Sequence, residues 1–308
     1  MTMQLAMPTS TQPAAATAPA RNPSSPARIA WRRAARHVGL WTGGSILVVF
    51  LLCIALAPWL SAHDPGTQDL ANRLAEPFWA PAGNWSHPLG TDHLGRDYLA
   101  LLLYGGRISL LVGFSTIVVS MAIGTVLGVA AGYWGGTVDQ VVNFVLTIRL
   151  TLPVILVALV AVSVVGQSLW LLVAVIGGLL WERLVIVTRA TTQQLVHREF
   201  VLAARAIGCS TPRILVREIL PNIFGPLIVI GTLELARAIL TEATLSFLGL
   251  GVQSPQTSWG LMIAEAKSQL LFRPWLVFIP ATALVLLIFA INMVGDALRD
   301  VTAPEGRA

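Results

Sequence analysis

Apolar residues fall into six long runs, at positions 39–60, 108–132, 141–165, 169–187, 224–240 and 275–294. Most approach or exceed the roughly 20 residues that a helix needs to cross the hydrocarbon core of a bilayer. The pattern predicts an all-α integral membrane protein with six transmembrane helices. Arg149 interrupts the third run, and Glu234 and Arg237 interrupt the fifth. Gly124, Gly128, Gly132 and Gly136 recur at every fourth position, so they share a helix face that lets another helix approach closely.

The first 30 residues break this rhythm. The segment PTSTQPAAATAPARNPSSPAR has no apolar periodicity and predicts a disordered tail over 1–38. Ala55, Leu56 and Ala57 resemble a signal-peptide cleavage site behind Arg32, Arg33 and Arg36. The apolar run continues past them to Leu60, which favours an uncleaved anchor over 39–60. A polar loop follows at 61–106, then a core at 107–300 and a short tail at 301–308.

Between the fourth and fifth runs lies a polar insert, 190–222, containing EFVLAARAIGCSTPRILVREILPN. Its first half favours helix, and Gly208 is a natural terminator. Thr211 then reads as an N-cap with Pro212 in the first helical position, where the missing N–H costs nothing. Pro221 ends this second helix or marks the turn into the fifth run. The expectation is a helix–turn–helix that bears small residues (Ala203, Ala204, Ala206) beside arginines.

Composition agrees with a membrane setting. The chain is 55% hydrophobic and 11% charged, well under the roughly 25% charge of soluble domains. Its formal charge of +5 flanks the apolar runs and forms no phosphate-binding face, so no nucleic acid partner is expected and membrane lipid is. Lys/Arg counting sets the orientation. Arg189, Arg198, Arg205, Arg213 and Arg217 fall on the side of the tail arginines, whereas the opposite side holds Arg73, Arg96, Arg107, Lys267 and Arg273. Both termini and the insert are therefore expected in the cytoplasm of a multi-pass inner-membrane protein. Cys53 and Cys209 lack His or Cys neighbours at metal-ligand spacing and read as isolated thiols.

LAARAIGCSTPRILVREILPN resembles the cytoplasmic motif of binding-protein-dependent ABC importer permeases: Glu-Ala-Ala, three residues, Gly, nine residues, Ile, one residue, Leu-Pro. Ala203-Ala204, Gly208 and Leu220-Pro221 match in register. Leu202 stands where the acid is usual, and Glu218 where isoleucine is usual. HPLGTDHLGRD, GYWGGTVD, ILTEATLSFLGLGVQSPQTSWG and NMVGDALRD are similar to further segments of the dipeptide/oligopeptide/nickel permease group, and to its C-type member in particular.

The resemblance implies a peripheral first helix followed by a five-helix core. It also implies a second permease subunit, two ATP-binding subunits and an extracytoplasmic solute-binding protein as partners. Ala203, Ala204, Arg205, Gly208, Leu220 and Pro221 would form the loop that couples to the ATPase. Di- or oligopeptides are the implied solutes, with nickel or glutathione as alternatives within the same machine.

The chain has no G-x-x-x-x-G-K-[ST] phosphate loop, so neither a bound cofactor nor enzymatic activity is expected of it, and ATP hydrolysis falls to partners. His63, His87, Asp92, His93 and Asp97 lack a helix-face pair, so no metal site is expected there. Asp97 and the following YLALLLY are read as a short amphipathic helix at the outer interface. Arg149, Glu234 and Arg237 carry two readings. They line the translocation path, or they form an ion pair that holds helices in register. An ion-coupled secondary transporter would use the same three residues as a relay, but the chain shows no internal repeat.

Overall fold

The computed structural model describes residues 34, 35, 37–166 and 168–302. The tails expected at 1–38 and 301–308 therefore lie largely outside the described residues. Ten main helices follow in order: α1 (Val38–Ala55), α2 (Tyr98–Trp134), α3 (Gly136–Thr151), α4 (Val154–Val165), α5 (Leu169–Gly177), α6 (Glu182–Val196), α7 (Glu199–Ala206), α8 (Leu220–Phe247), α9 (Trp259–Ala266) and α10 (Trp275–Thr302). No strand is present among the described residues beyond one isolated bridge between Thr91 and Asp97. Four helices are long and apolar enough to cross a membrane, and up to six spans result if each bent pair counts as one.

The bent pairs are the third and fourth runs. Between α3 and α4 the axis turns by 90°, and between α5 and α6 by 44°. Pro153 causes the first break, since its ring pushes Leu152 into extended backbone (ψ 127°). Gly177 and Gly178 sit at the second, followed by a turn that ends at Trp181. The fifth run extends further than expected. Helix is continuous from Thr211 through a π-helical turn at Leu215–Ile219 into α8.

Helices α2 and α8 form the centre, and α1 lies outside against α10 and the start of α2. The closest seam joins α2 to α6. A Cβ added at Gly124 would stand 2.4 Å from Leu184 Cβ, at Gly128 2.6 Å from Thr188 Cβ, and at Gly132 2.5 Å from Thr192 Cβ. Each partner is also four residues from the next, so both helices present matching faces. Gly136 does not join this seam. It has open space around it and, with Gly135, a positive φ that makes the turn into α3.

The expected interfacial helix after Asp97 is absent as a separate element. Asp97 caps α2 itself, its Oδ2 accepting from Ala100 N at 2.8 Å, and Tyr98, Ala100 and Leu101 are buried. These first turns continue directly into the long helix, with Tyr98 and Leu101 packed among residues of α9 and α10 and Gly106 against Ile54 of α1.

Gly128→Ala should cost about 1–3 kcal/mol through overpacking of the seam. The check is the thermal midpoint of the purified protein in mild detergent. Gly44→Ala, where nothing lies within 4 Å, should leave that midpoint unchanged or raised; equal shifts in the two variants would contradict the seam.

Candidate functional site

Both helix breaks and the middle of α8 meet in one cluster of charges. Arg149 ends α3, Glu182 and Arg183 begin α6, and Glu234 and Arg237 project from α8. Arg237 Nη1 donates to Glu182 Oε1 at 2.8 Å and to Glu234 Oε2 at 3.2 Å. Arg183 Nη1 lies 3.3 Å from Glu234 Oε1, and Arg149 Nη2 lies 3.9 Å from Glu182 Oε2.

Arg149 does more than balance charge. Its Nε and Nη2 donate to the Leu179 carbonyl at 2.9 and 2.6 Å, and its Nη1 to the Leu152 carbonyl at 3.2 Å. These are carbonyls that the two helix breaks leave without intrahelical partners, and hydrocarbon offers them none.

The cluster is lopsided. Glu182, Glu234 and Arg149 are buried, whereas the Arg237 side chain is 28% exposed and that of Arg183 is 57% exposed. Three guanidiniums against two carboxylates leave one formal positive charge, and the open face is the arginine face.

The insert forms a second surface. Helix α7 stops at Ile207, and Gly208 (φ +79°) closes it, with Gly208 N bonded to Arg205 O and Cys209 N to Ala204 O. Val201, Ile214 and Ile219 are buried and pin the insert to α6 and α8. Phe200, Leu202, Ile207 and Val216 are exposed around the small residues Ala203 and Ala206. The Arg205 guanidinium lies 4.9 Å from the Tyr133 ring centre at the end of α2.

A family profile described as "Binding-protein-dependent transport system inner membrane component" matches residues 124–306. The chain belongs to that family. A second profile, the "N-terminal TM domain of oligopeptide transport permease C", matches residues 25–77. Among relatives, the "Di/tripeptide transport system permease protein DppC" of Pseudomonas aeruginosa is 37% identical over 94% of this chain and 96% of its own length. The "Oligopeptide transport system permease protein OppC" of Haemophilus influenzae is 37% identical over 85% of this chain and 83% of its own. In fold, the chain is similar to a solved chain of the "MetNI methionine ABC transporter" (TM-score 0.50, 17% identity), which it matches over 66% of its own length and 97% of that chain.

Within this permease, several details depart from the sequence reading. Ser210, not Thr211, is the residue before the second insert helix, and no side chain caps it. Pro221 makes no turn. It stands in the first turn of α8, directly after the π-helical turn, where Leu220 N bonds back to Leu215 O. The wider π turn makes room for a ring that would crowd an α-helical carbonyl, and Asn222 Nδ2 donates to the Glu218 carbonyl at 2.6 Å.

Two members of the charge cluster, Glu182 and Arg183, were not singled out from the sequence. The available signal was a Trp-Glu-Arg triplet inside an apolar run just after a glycine pair. A further carboxyl, Glu242, also escaped notice. It is fully buried, accepts from Ser246 Oγ at 2.7 Å and Ser109 Oγ at 3.4 Å, and has no basic partner among the described residues.

In the polar loop, the fold gathers His63, His87 and Asp97, with His87 Nδ1 3.0 Å from Asp97 Oδ1. It also gathers Asp92, His93 and Glu265, but Arg96 bonds both carboxylates at 2.6 and 2.8 Å. Asp69, also in this loop, is held below the usual carboxylate range by a hydrogen bond from Asn72.

Glu234→Ala strips two arginines of a shared, fully buried carboxylate and should cost about 3–5 kcal/mol. Arg183→Gln, on the exposed side, should cost no more than about 1 kcal/mol. Denaturation midpoints in detergent compare them. A Glu234→Ala shift no larger than that of Arg183→Gln would mean that the cluster does not hold α6 and α8 together.

Proposed function

We propose that this chain is one permease subunit of an ATP-driven importer of di- or oligopeptides, working by alternating access. The observation that carries the reading is identity of 36–37% over more than nine-tenths of the chain with permeases named for dipeptide and di/tripeptide transport. Six spans are assigned: α1 as a peripheral anchor, α2, the bent pairs α3–α4 and α5–α6, then α8 and α10. Both termini and the insert face the cytoplasm, as the arginine bias favours.

A second permease subunit, two ATP-binding subunits and an extracytoplasmic binding protein complete the machine. ATP hydrolysis then belongs to the partners, since this chain carries no phosphate loop. The insert couples to an ATPase through Ala203, Ala204, Arg205 and Gly208, with Leu220 and Pro221 at its root. Support comes from its apolar, small-residue surface, fixed from below by buried isoleucines. The arginine face of the charge cluster borders the solute path. Its excess positive charge suits a solute that carries a carboxylate, as every unmodified peptide does. Arg149 is assigned to structure, because each of its three nitrogens donates to a carbonyl exposed by the helix breaks.

Two measurements test this. In a mild-detergent pull-down from the native host, the unmodified chain should retain a second permease and P-loop ATPases. Gly208→Val, which forces a β-branched residue to φ +79°, should lose the ATPases while keeping the second permease. Recovery of the chain alone, folded and helical, would overturn the importer reading. In reconstituted vesicles, Arg183→Gln should lower peptide uptake about tenfold (~1.4 kcal/mol) with ATPase binding intact. Unchanged uptake would remove the arginine face from the path.

A further inference from the structure

Helix α1 packs on the core along one side, with Leu47 and Phe50 against the core cluster, and leaves an opening on its other side beside α2. At the insert end Gly43 lets it lie against α10, where an added Cβ would meet Met293 Cβ at 2.8 Å and the Ala290 carbonyl oxygen at 2.9 Å. His37 Nε2, 3.2 Å from Asp300 Oδ2, ties the same end. At the other end Ile54 packs against Gly106, and Phe50 meets Trp259 edge-on with ring centres 5.8 Å apart. Arg107 donates from Nε to the Ile54 carbonyl at 2.9 Å and from Nη2 to the Ala55 carbonyl at 3.2 Å.

Between these fastenings a cleft of about 540 Å³ remains, bounded by α1, the first turns of α2, α9 and α10. Val49, Phe50, Cys53, Leu103, Trp259 and Leu286 contribute to its wall. Val49 and Leu286 are themselves exposed, so the cleft opens sideways to the surroundings of a membrane helix. Its polar groups are already spent. The Ser45 hydroxyl bonds the Thr42 carbonyl at 2.9 Å, and Trp259 Nε1 bonds the Leu102 carbonyl at 2.8 Å. A polar solute would find nothing to bind, and water would lose its hydrogen bonds. An empty space of this size would forfeit dispersion contacts along its whole lining. An apolar chain restores them.

The lip supplies the other half of an amphiphile site. Arg107 pairs with no carboxylate among the described residues; its Nε and Nη2 reach carbonyls, and its Cζ lies 4.8 Å from the Tyr104 ring centre. An uncompensated guanidinium beside an apolar cleft is complementary to a phosphate joined to a hydrocarbon tail. We propose that the cleft holds one acyl chain of a glycerophospholipid whose phosphate pairs with Arg107, and that this lipid completes the packing of α1 on the core. The proposal rests on the membrane setting and not on the identity of the transported solute.

The test uses the intact complex in nanodiscs of phosphatidylethanolamine and phosphatidylglycerol, doped with a phosphatidylglycerol carrying a photoreactive diazirine in one acyl chain. Labelling of the peptides bearing Cys53 and Leu103 should saturate with the doped fraction and be competed by unlabelled phosphatidylglycerol. Arg107→Gln should weaken that competition about tenfold. Ala283→Phe, which fills the cleft, should abolish saturable labelling, while Val285→Phe on the outer face of α10 (63% exposed) should not. Labelling of the unmodified protein that rises linearly without saturation would overturn the proposal. So would capture of another polypeptide by a crosslinker placed on Cys53, which would mean that a protein helix fills the cleft.

Discussion

Hydrocarbon offers no hydrogen bonds, so a membrane helix that breaks must find partners for the carbonyls it exposes. Here two bent helix pairs, α3–α4 and α5–α6, break, and one guanidinium serves both. Arg149 reaches Leu152 just before the Pro153 bend and Leu179 in the turn between α5 and α6. That arrangement brings a positive charge into the interior, and Glu182 accompanies it there. Arg237 then balances Glu182, Glu234 joins Arg237, and Arg183 closes the chain at the open face. The charge cluster follows from the backbone problem as much as from any task set by a solute.

This chain of pairings also orders the residues by role. Arg149 sets each of its three nitrogens against a backbone carbonyl, which under the proposed function favours a structural role. The charges left partly open, Arg183 and Arg237, remain able to meet something outside the chain. The division explains how a single cluster hosts both readings that the sequence leaves open for Arg149, Glu234 and Arg237.

The insert and the cluster are joined by rigid elements. Helix α6 begins at Glu182 in the cluster and ends at Val196 beside the insert, locked along its length to α2 by the glycine seam. Helix α8 runs the other way, from the π-helical turn at the root of the insert to Glu234 and beyond. Under the proposed importer mechanism, a partner that moves the insert moves both walls of the cluster with little loss to bending. Two points along this path interrupt regular α-helical geometry, the π turn at Leu215–Ile219 and Pro226 inside α8.

Much was legible in the chain itself. Six apolar runs, the glycine repeat and the turn at Gly208 are local properties, set by hydropathy, by helix periodicity and by backbone freedom. The motifs of the insert gave the family for the same reason, since they lie in order along the chain. Pro153 lies inside the run read as one span over 141–165, and the 90° bend there is a finding of the structure, because the angle depends on what packs against both arms. Glu182 and Arg183 passed unread inside the apolar run 169–187, and their role emerges only with α3 and α8 beside them. The cleft under α1 had no local signature at all. Local sequence determined which segments are helical and apolar; only the tertiary structure decided which buried charges share partners and where packing fails, because desolvation and contact are properties of neighbours brought together from distant parts of the chain.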